Sequence, residues 1–389
     1  MRIVHLGNVP VPTGHPEMGR VKQHPGRWVL NHALAQKAAG LDVEIVSQAH
    51  KASCDFDCKI EGVTVHFLRT YHPYRHFTFY ALDAWRMARF VRRLKPDIVH
   101  AHGTENTYGH AAVRSGLPFC ISAQGLFFQI LPILARPPTW NERFLRWGED
   151  KVLRKTQFVV AKSEYVKDAL AKQYPHLDLT LIPNTYEPIL DAPLAPRSGH
   201  AVAYVGTMDE RKGVCYLAEA MRGVIQAVPD VELHVMGNPP EDTAQGYAGE
   251  CLRSLRATLG ARLVLHGRVP SRELFPILDG CRVLVAPSLE EMFGNQLIEG
   301  LMRGCHGIVA EGTALAENAR RVGNATVVPQ RDASAIAVAL RTILSEPLDL
   351  ASTEEARQRI REWMSPSIVA AKHNAVYQSI LRQRSGGAE

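Results

Sequence analysis

The amino-acid sequence predicts an α/β protein built as two doubly wound domains in series. Short, continuous apolar runs alternate with segments of helical apolar spacing along almost the whole chain. That is the pattern of strands buried on both faces and joined by crossover helices. The 389 residues also exceed what one core ordinarily holds. Finally, YEPILDAPLAPRSGH, rich in proline and small residues, interrupts the alternation near the middle and reads as a linker.

Taken in order, RIVHLGN is a β-branched strand, Trp28 to Ala39 is helical and stopped by Gly40, and LDVEIVS is the next strand. The rhythm repeats with helical Ala81 to Leu94, a breaker at Pro96 and the strand DIVHAH. Helical His110 to Arg114 precedes LPFCISAQ, and helical Arg143 to Arg154 precedes QFVVAKS. Beyond the linker come AVAYVG, helical Gly213 to Val228, VELHVMG, RLVLHG, a short helix at Arg272 to Leu278 and CRVLVAPS. A helix over Gln296 to Met302, HGIVA, ATVVP and helical Ala333 to Leu344 follow, and helical Ser367 to Gln383 comes last. Sequential parallel strands require right-handed crossovers, so each half is expected to be a doubly wound sheet.

Composition excludes several classes. With 46% hydrophobic and 22% charged residues, the chain is neither disordered, collagen-like nor coiled coil. No apolar run approaches the roughly 18–20 residues of a spanning helix; the longest candidate, Leu126 to Ala135, is broken by Gln129 and Pro132. MRIVHLGN lacks the apolar core and cleavage site of a signal peptide. Seven cysteines are few and odd in number, so no disulfide framework is expected and a reducing cytoplasm is the expected compartment. Residues 1–188 carry 24 Lys/Arg against 16 Asp/Glu, a balance of +8, while the remainder carries 21 against 23, a balance of −2. A basic first half suggests an anionic partner or surface.

The common motifs are missing. No G-x-G, P-loop or H-E-x-x-H occurs, which weighs against a dehydrogenase. The acidic triplet Asp55-Phe56-Asp57, between Cys54 and Cys58 and near His50, could suggest a metal site, but short acidic triplets arise often by chance and it reads as loop surface. The basic aromatic stretch Arg69 to Arg93 comes with no nucleic-acid-binding module and reads as a solvated helix face, so no nucleic-acid partner is expected.

The informative region is APSLEEMFGNQLIEGLMRG, Ala286 to Gly304. A strand ends at Pro287-Ser288, a tight turn holds Glu291, and a helix starts near Phe293-Gly294-Asn295. A helix N-terminus offers unpaired amides and a positive dipole end, suited to an anion or sugar oxygens. Glu299 lies roughly two turns further along. A second segment, YVGTMDERKGV, places the adjacent cations Arg211 and Lys212 in a loop between a strand and a helix. Arginine presents a planar fork to phosphate oxygens and lysine a point charge.

On these two segments the sequence resembles the retaining glycosyltransferases of family 4, strongly after residue 180 and more loosely before. The resemblance implies the GT-B fold: two Rossmann-like domains facing a cleft that closes on binding, and a C-terminal helix returning to the N-terminal domain. The boundaries it implies are 1–188 for the acceptor domain, 189–366 for the nucleotide-sugar domain and 367–389 for the returning helix. It implies catalytic or sugar-binding roles for Glu291, Arg211 and Lys212, and donor contacts from Glu299, Phe293, Gly294, Asn295, Gly206, Arg268 and Val269. In the N-terminal half, Gln124 stands where many members carry histidine, His102 is the nearest histidine by analogy, and Gly26 is the nearest candidate for a glycine-loop residue. These three are candidates for sugar or acceptor contact. Thr207, where many members carry arginine, is a further departure.

The activity implied is retaining transfer of a sugar from a nucleotide-diphosphate donor to a hydroxyl of a glycan, glycolipid or lipid-linked precursor, with no metal and no cofactor beyond the donor substrate. The alternatives are a sugar-nucleotide epimerase of the same fold and a non-catalytic nucleotide-sugar-binding protein. Aromatics Tyr71, Tyr74, Phe77, Tyr80, Trp85, Phe127, Phe128, Trp140, Phe144 and Trp147, interleaved with arginines, suggest peripheral contact with an anionic inner membrane face. The competing reading, that they are ordinary core beside a solvated basic face, carries slightly more weight.

Overall fold

The computed structural model describes residues 1–21, 26–70, 80–105, 107–195, 197 and 199–386. The chain divides into two compact units, Met1–Leu131 with Pro138–Thr185 and Met364–Glu389, and Pro132–Pro137 with Tyr186–Trp363.

The first unit is built on an eight-stranded sheet. Its strands are β1 (Arg2–Leu6), β2 (Asp42–Ala49), β3 (Phe56–Ile60), β4 (Val63–Arg69), β5 (Ile98–His102), β6 (Phe119–Ser122), β7 (Phe158–Ala161) and β8 (Asp178–Leu181). They lie in the order β3-β4-β2-β1-β5-β6-β7-β8. All neighbours pair in parallel except the edge hairpin β3–β4. The predicted doubly wound sheet is therefore present, with a hairpin that periodicity did not reveal. Its strand β3 begins at Phe56, inside the acidic triplet expected to be loop surface. Phe56 stacks on Phe67 at 4.8 Å, Asp57 bonds His66 at 2.8 Å, and Asp55 accepts the Arg69 amide at 2.8 Å and pairs with Arg86. The triplet closes a sheet edge, and its carboxylates are engaged by protein cations and donors.

The last helix, Pro366–Gly386, belongs to this first unit and packs against Trp28–Ala38. Tyr377 and Ile380 bury themselves with Ile3, Ile98 and Cys120. The Tyr377 hydroxyl accepts from the Gln36 amide at 2.9 Å and lies 2.6 Å from His100 Nδ1.

The second unit carries six parallel strands: β9 (Ala201–Val205), β10 (Glu232–Met236), β11 (Leu263–Gly267), β12 (Val283–Ala286), β13 (His306–Ala310) and β14 (Ala325–Val328), ordered β11-β10-β9-β12-β13-β14. Helices Gly246–Leu259, Ala314–Val322 and Leu350–Met364 join those expected from the sequence. A disulfide links Cys215 to Cys251, against the expectation drawn from the low, odd cysteine count. The helices Val214–Ala227 and Gly246–Leu259 pack side by side and bring the two sulfurs together, which chain spacing cannot show.

The stretch read as a linker is fastened to the second unit from Tyr186 onward. Leu190 is buried, and its neighbours' carbonyls are taken by two buried arginines. Arg303 donates to Ala192 O at 3.2 Å and to Asp279 at 2.7 Å, and Arg357 donates to Ala192 O at 3.0 Å. Main-chain carbonyls that a free linker would leave to water are satisfied by protein.

Among the aromatics expected near a membrane, Tyr71, Tyr74 and Phe77 lie outside the described residues. Trp140 is 88% exposed, Trp85 and Trp147 are about half exposed, and Tyr80 is buried. No helix among the described residues is long and apolar enough to cross a membrane.

Replacing Arg303 with alanine strips Asp279 of its partner and frees the segment around Ala192. The expected cost is about 3 kcal/mol, measured as a lower urea midpoint, with Arg303→Lys recovering only part of it.

Candidate active site

In the second unit the strand order reverses between β9 and β12, so the chain leaves their C-terminal ends in opposite directions and opens a crevice there. Two loops line it, Gly206–Gly213 after β9 and Pro287–Gly294 after β12. They touch through backbone. Leu289 N donates to Arg211 O at 2.7 Å, and a Cβ on Gly213 would stand 2.1 Å from Pro287 O. Gly213 also has φ +65°, so any side chain there meets both a steric and a conformational penalty.

Each loop is held by its own side chains. Asp209 accepts from Lys212 N at 3.1 Å and from the Thr207 hydroxyl at 2.6 Å, fixing the turn that presents Arg211 and Lys212. Thr207, a departure from the expected arginine, thus shapes the loop. Gln330 donates to Leu289 O at 3.0 Å, and Asn318 donates to Phe293 O at 2.6 Å. Gly294, with φ +86°, precedes the helix Asn295–Met302, and a Cβ there would lie 2.2 Å from Leu315 Cδ2.

This frame gathers the charges. The Glu291 carboxylate receives Lys212 Nζ directly and Gln296 Nε2 at 3.2 Å, with Arg211 Nη1 at 3.9 Å. Arg211 also donates to Glu290 O at 3.1 Å. Burial alone would push the Glu291 carboxyl up, but Lys212 and Arg211 outweigh it and hold it at about 2. Two cations beside an ionised carboxylate, next to a helix N-terminus, make a half-buried polar site that suits an anion with a hydroxyl-bearing group attached. Gly206 packs against the stem of Lys212.

Glu299 is placed differently. Burial first, and then the charge of Glu187, raises its carboxyl to about 7. The Phe293 side chain is buried near Trp363, at 5.8 Å between rings, so only its backbone is available to a ligand. Arg268 is exposed and, with Val269, follows β11, which β10 separates from β9.

A family profile described as "Glycosyl transferases group 1" matches residues 199–346, and one described as "Glycosyl transferase 4-like domain" matches residues 25–185. The chain belongs to the group 1 glycosyltransferase family. It is 31% identical over 217 residues to a phosphatidyl-myo-inositol mannosyltransferase of Mycolicibacterium smegmatis, covering 52% of each chain, so the match spans about half the length of that relative. Its fold is similar to that of sucrose-phosphate synthase from Thermosynechococcus elongatus, with a TM-score of 0.81 at 19% identity over 98% of this chain and 99% of the other. The fold of Anabaena HepE, solved in complex with UDP and glucose, is also similar, with a TM-score of 0.71 at 13% identity over 97% and 100% of the two chains. These likenesses show the two-domain GT-B fold.

The family's other expected residues lie in the first unit. Gln124 follows β6 and its side-chain nitrogen is buried with no partner among the described residues, a donor ready for a hydroxyl. His102 turns inward, is 5% exposed and lies 2.9 Å from His5 Nδ1, so its ring is engaged in the core. Gly26 stands just before the helix Trp28–Ala38, and the Trp28 ring fills the place of a Cβ. Among the described residues, His5, His100 and His102 are grouped closely enough to hold a metal ion.

Sequence reasoning overlooked Gln296, which steadies Glu291, Glu187, which bears on Glu299, and Asp209. Asp209 carried a signal, because aspartate ahead of a short polar run is a cap. Glu187 did not, since only folding brings it near Glu299.

The raised Glu299 carboxyl makes a pH prediction. Between the ordinary value of 4.5 and about 7 the folded chain holds a proton that the unfolded chain has lost, so stability falls as pH rises through that window. Glu299→Gln should flatten the fall in thermal midpoint between pH 5 and 7, measured without ligand.

Proposed function

We propose that this chain transfers a sugar from a nucleotide-diphosphate donor to an acceptor hydroxyl, with retention of anomeric configuration and without a metal. The observation that carries the reading is the ionised Glu291 held by Lys212 and beside Arg211 at the reversal of strand order. The names of the similar proteins support sugar transfer over epimerisation, and the UDP and glucose in the HepE complex support a nucleotide-sugar donor.

In this mechanism the bond from the anomeric carbon to the diphosphate oxygen breaks, and the acceptor oxygen bonds to that carbon on the same face. The acceptor's proton passes to the departing phosphate oxygen. Negative charge grows on the leaving group, where Arg211, Lys212 and the amides near Gly294 and Asn295 stabilise it. Glu291 accepts hydrogen bonds from sugar hydroxyls. Glu299 accepts from the ribose diol, which stabilises its ionised form. Gln124 donates to a hydroxyl but cannot take a proton.

The acceptor we favour is a hydroxyl on a lipid-borne or glycan precursor, reached from the cytoplasmic face of a membrane. The basic first half, half-exposed Trp85 and Trp147 and the relative's phosphatidyl-myo-inositol acceptor support it. Arg89 lies 5.7 Å from the Trp85 ring centre and Lys151 3.5 Å from that of Trp147, pairings suited to an anionic interface.

Thermal-shift measurements with UDP-, GDP- and ADP-sugars should give stabilisation by one donor class, and product NMR should show the retained anomer in the presence of EDTA. Lys212→Ala and Glu291→Ala should each lower turnover by roughly 10²–10³. Donor binding with neither transfer nor slow donor hydrolysis, or an epimerised sugar formed without acceptor, would count against the proposal.

A further inference from the structure

The disulfide of the second unit lies beside the cationic loop, and sugar transfer has no use for it. Cys215 is the second residue of the helix Val214–Ala227, three positions beyond Lys212. Its partner Cys251 comes from the helix Gly246–Leu259, with 5.1 Å between the two Cα atoms.

The sulfur bridge is one of two fastenings on the same residue. The Cys215 amide, one of the first-turn amides that a helix leaves unpaired, donates to the Tyr247 hydroxyl at 3.3 Å. Tyr247 and Cys251 are four residues apart, so they stand one above the other on one face of their helix. That face holds Cys215 twice, through its sulfur and through its amide. The hold extends to the cations. Asp209 and Glu210 are close enough for their charges to bear on the Tyr247 hydroxyl, and Asp209 fixes the turn that presents Arg211 and Lys212. Gly213, between Lys212 and the helix, is the glycine packed against Pro287 O. A displaced first turn of Val214–Ala227 therefore displaces the site.

The rest of the helix pair does not depend on the bridge. Leu252, Leu255 and Leu259 share one core with Leu217, Met221 and Val224, apolar burial that keeps the two helices together when the sulfurs are reduced. Access to the bridge is one-sided, since Cys215 is partly exposed and Cys251 is 1% exposed. An external thiolate thus meets the Cys215 sulfur. Exposed disulfides are the labile ones, and in a reducing compartment such bonds are transient and redox-sensing.

We propose that Cys215 is a site of thiol–disulfide exchange, through which a dithiol reductant loosens the loop Gly206–Gly213. One thiolate of the reductant attacks the Cys215 sulfur, the disulfide bond breaks, and Cys251 leaves as a thiolate that takes a proton. The reductant's second thiolate then attacks its own sulfur in the mixed disulfide and releases Cys215, which takes the second proton. Two electrons pass to the protein, and the reductant ends as a disulfide. The reduced chain keeps its fold and, of the two fastenings, only the Tyr247 contact. That this loop receives a diphosphate rests on the sugar-transfer reading.

The test compares the full-length chain oxidised and after treatment with dithiothreitol. Thiols at Cys215 and Cys251 are counted by alkylation and peptide mass, and amide hydrogen exchange and the affinities for UDP and inorganic pyrophosphate are measured in both states. Reduction should speed exchange across residues 206–216 and weaken binding by at least about fivefold, and reoxidation should restore both. Cys215→Ala combined with Cys251→Ala should give the reduced-state values with or without dithiothreitol. Cys54→Ser, which removes an exposed free thiol of the first unit, should keep the wild-type response. A bridge that dithiothreitol fails to open in the folded chain, or exchange and affinity unchanged by its opening, would overturn the proposal. Hydrogen exchange needs no ligand, so it decides the switch even where neither UDP nor pyrophosphate binds in either state, a result that tells against sugar transfer alone.

Discussion

The second unit turns on a backbone crossing: the loop leaving β9 meets the loop leaving β12 at a glycine with room for nothing larger than hydrogen. Everything chemical follows from that closeness. It brings Arg211 and Lys212 from one loop against Glu291 from the other, although Lys212 and Glu291 are 79 residues apart in the chain. The carboxylate is desolvated, which alone would disfavour its charge, yet two nearby cations keep it ionised. The polar groups are thus oriented before any ligand arrives, and little reorganisation is left for the reaction itself.

The fold was largely legible because parallel strands buried on both faces write continuous apolar runs, and the breakers between them are glycine and proline. What escaped notice lacked that signature. Strand β3 is only five residues long, Phe-Asp-Cys-Lys-Ile, with strongly apolar residues at its two ends alone, so it resembled a loop. The supposed linker carries the composition of a free segment, and its docking rests on partners more than a hundred residues away, Arg303, Arg357 and Arg361 among them.

The site was legible in its residue types and not in its pairings. The Ala286–Gly304 segment announced a glutamate at a helix start, because strand, turn, glycine and helix are local features. That Lys212 would bond this glutamate is a tertiary fact. His102 shows the converse: a histidine at a strand end suits a ligand contact or a structural role alike, and the three-dimensional neighbourhood of His5 and His32 turns it into the interior.

The last helix carries a consequence for synthesis. Tyr377 and Ile380 cover apolar surface offered by Ile3, Ile98 and Cys120, all of which leave the ribosome far earlier. While the rest of the polypeptide is being made, that surface stays bare, and the first sheet waits uncapped until translation passes residue 380. That unit is therefore completed only after the whole second unit has been made, and a nascent chain stalled before Tyr377 exposes a sticky face to aggregation and to chaperones.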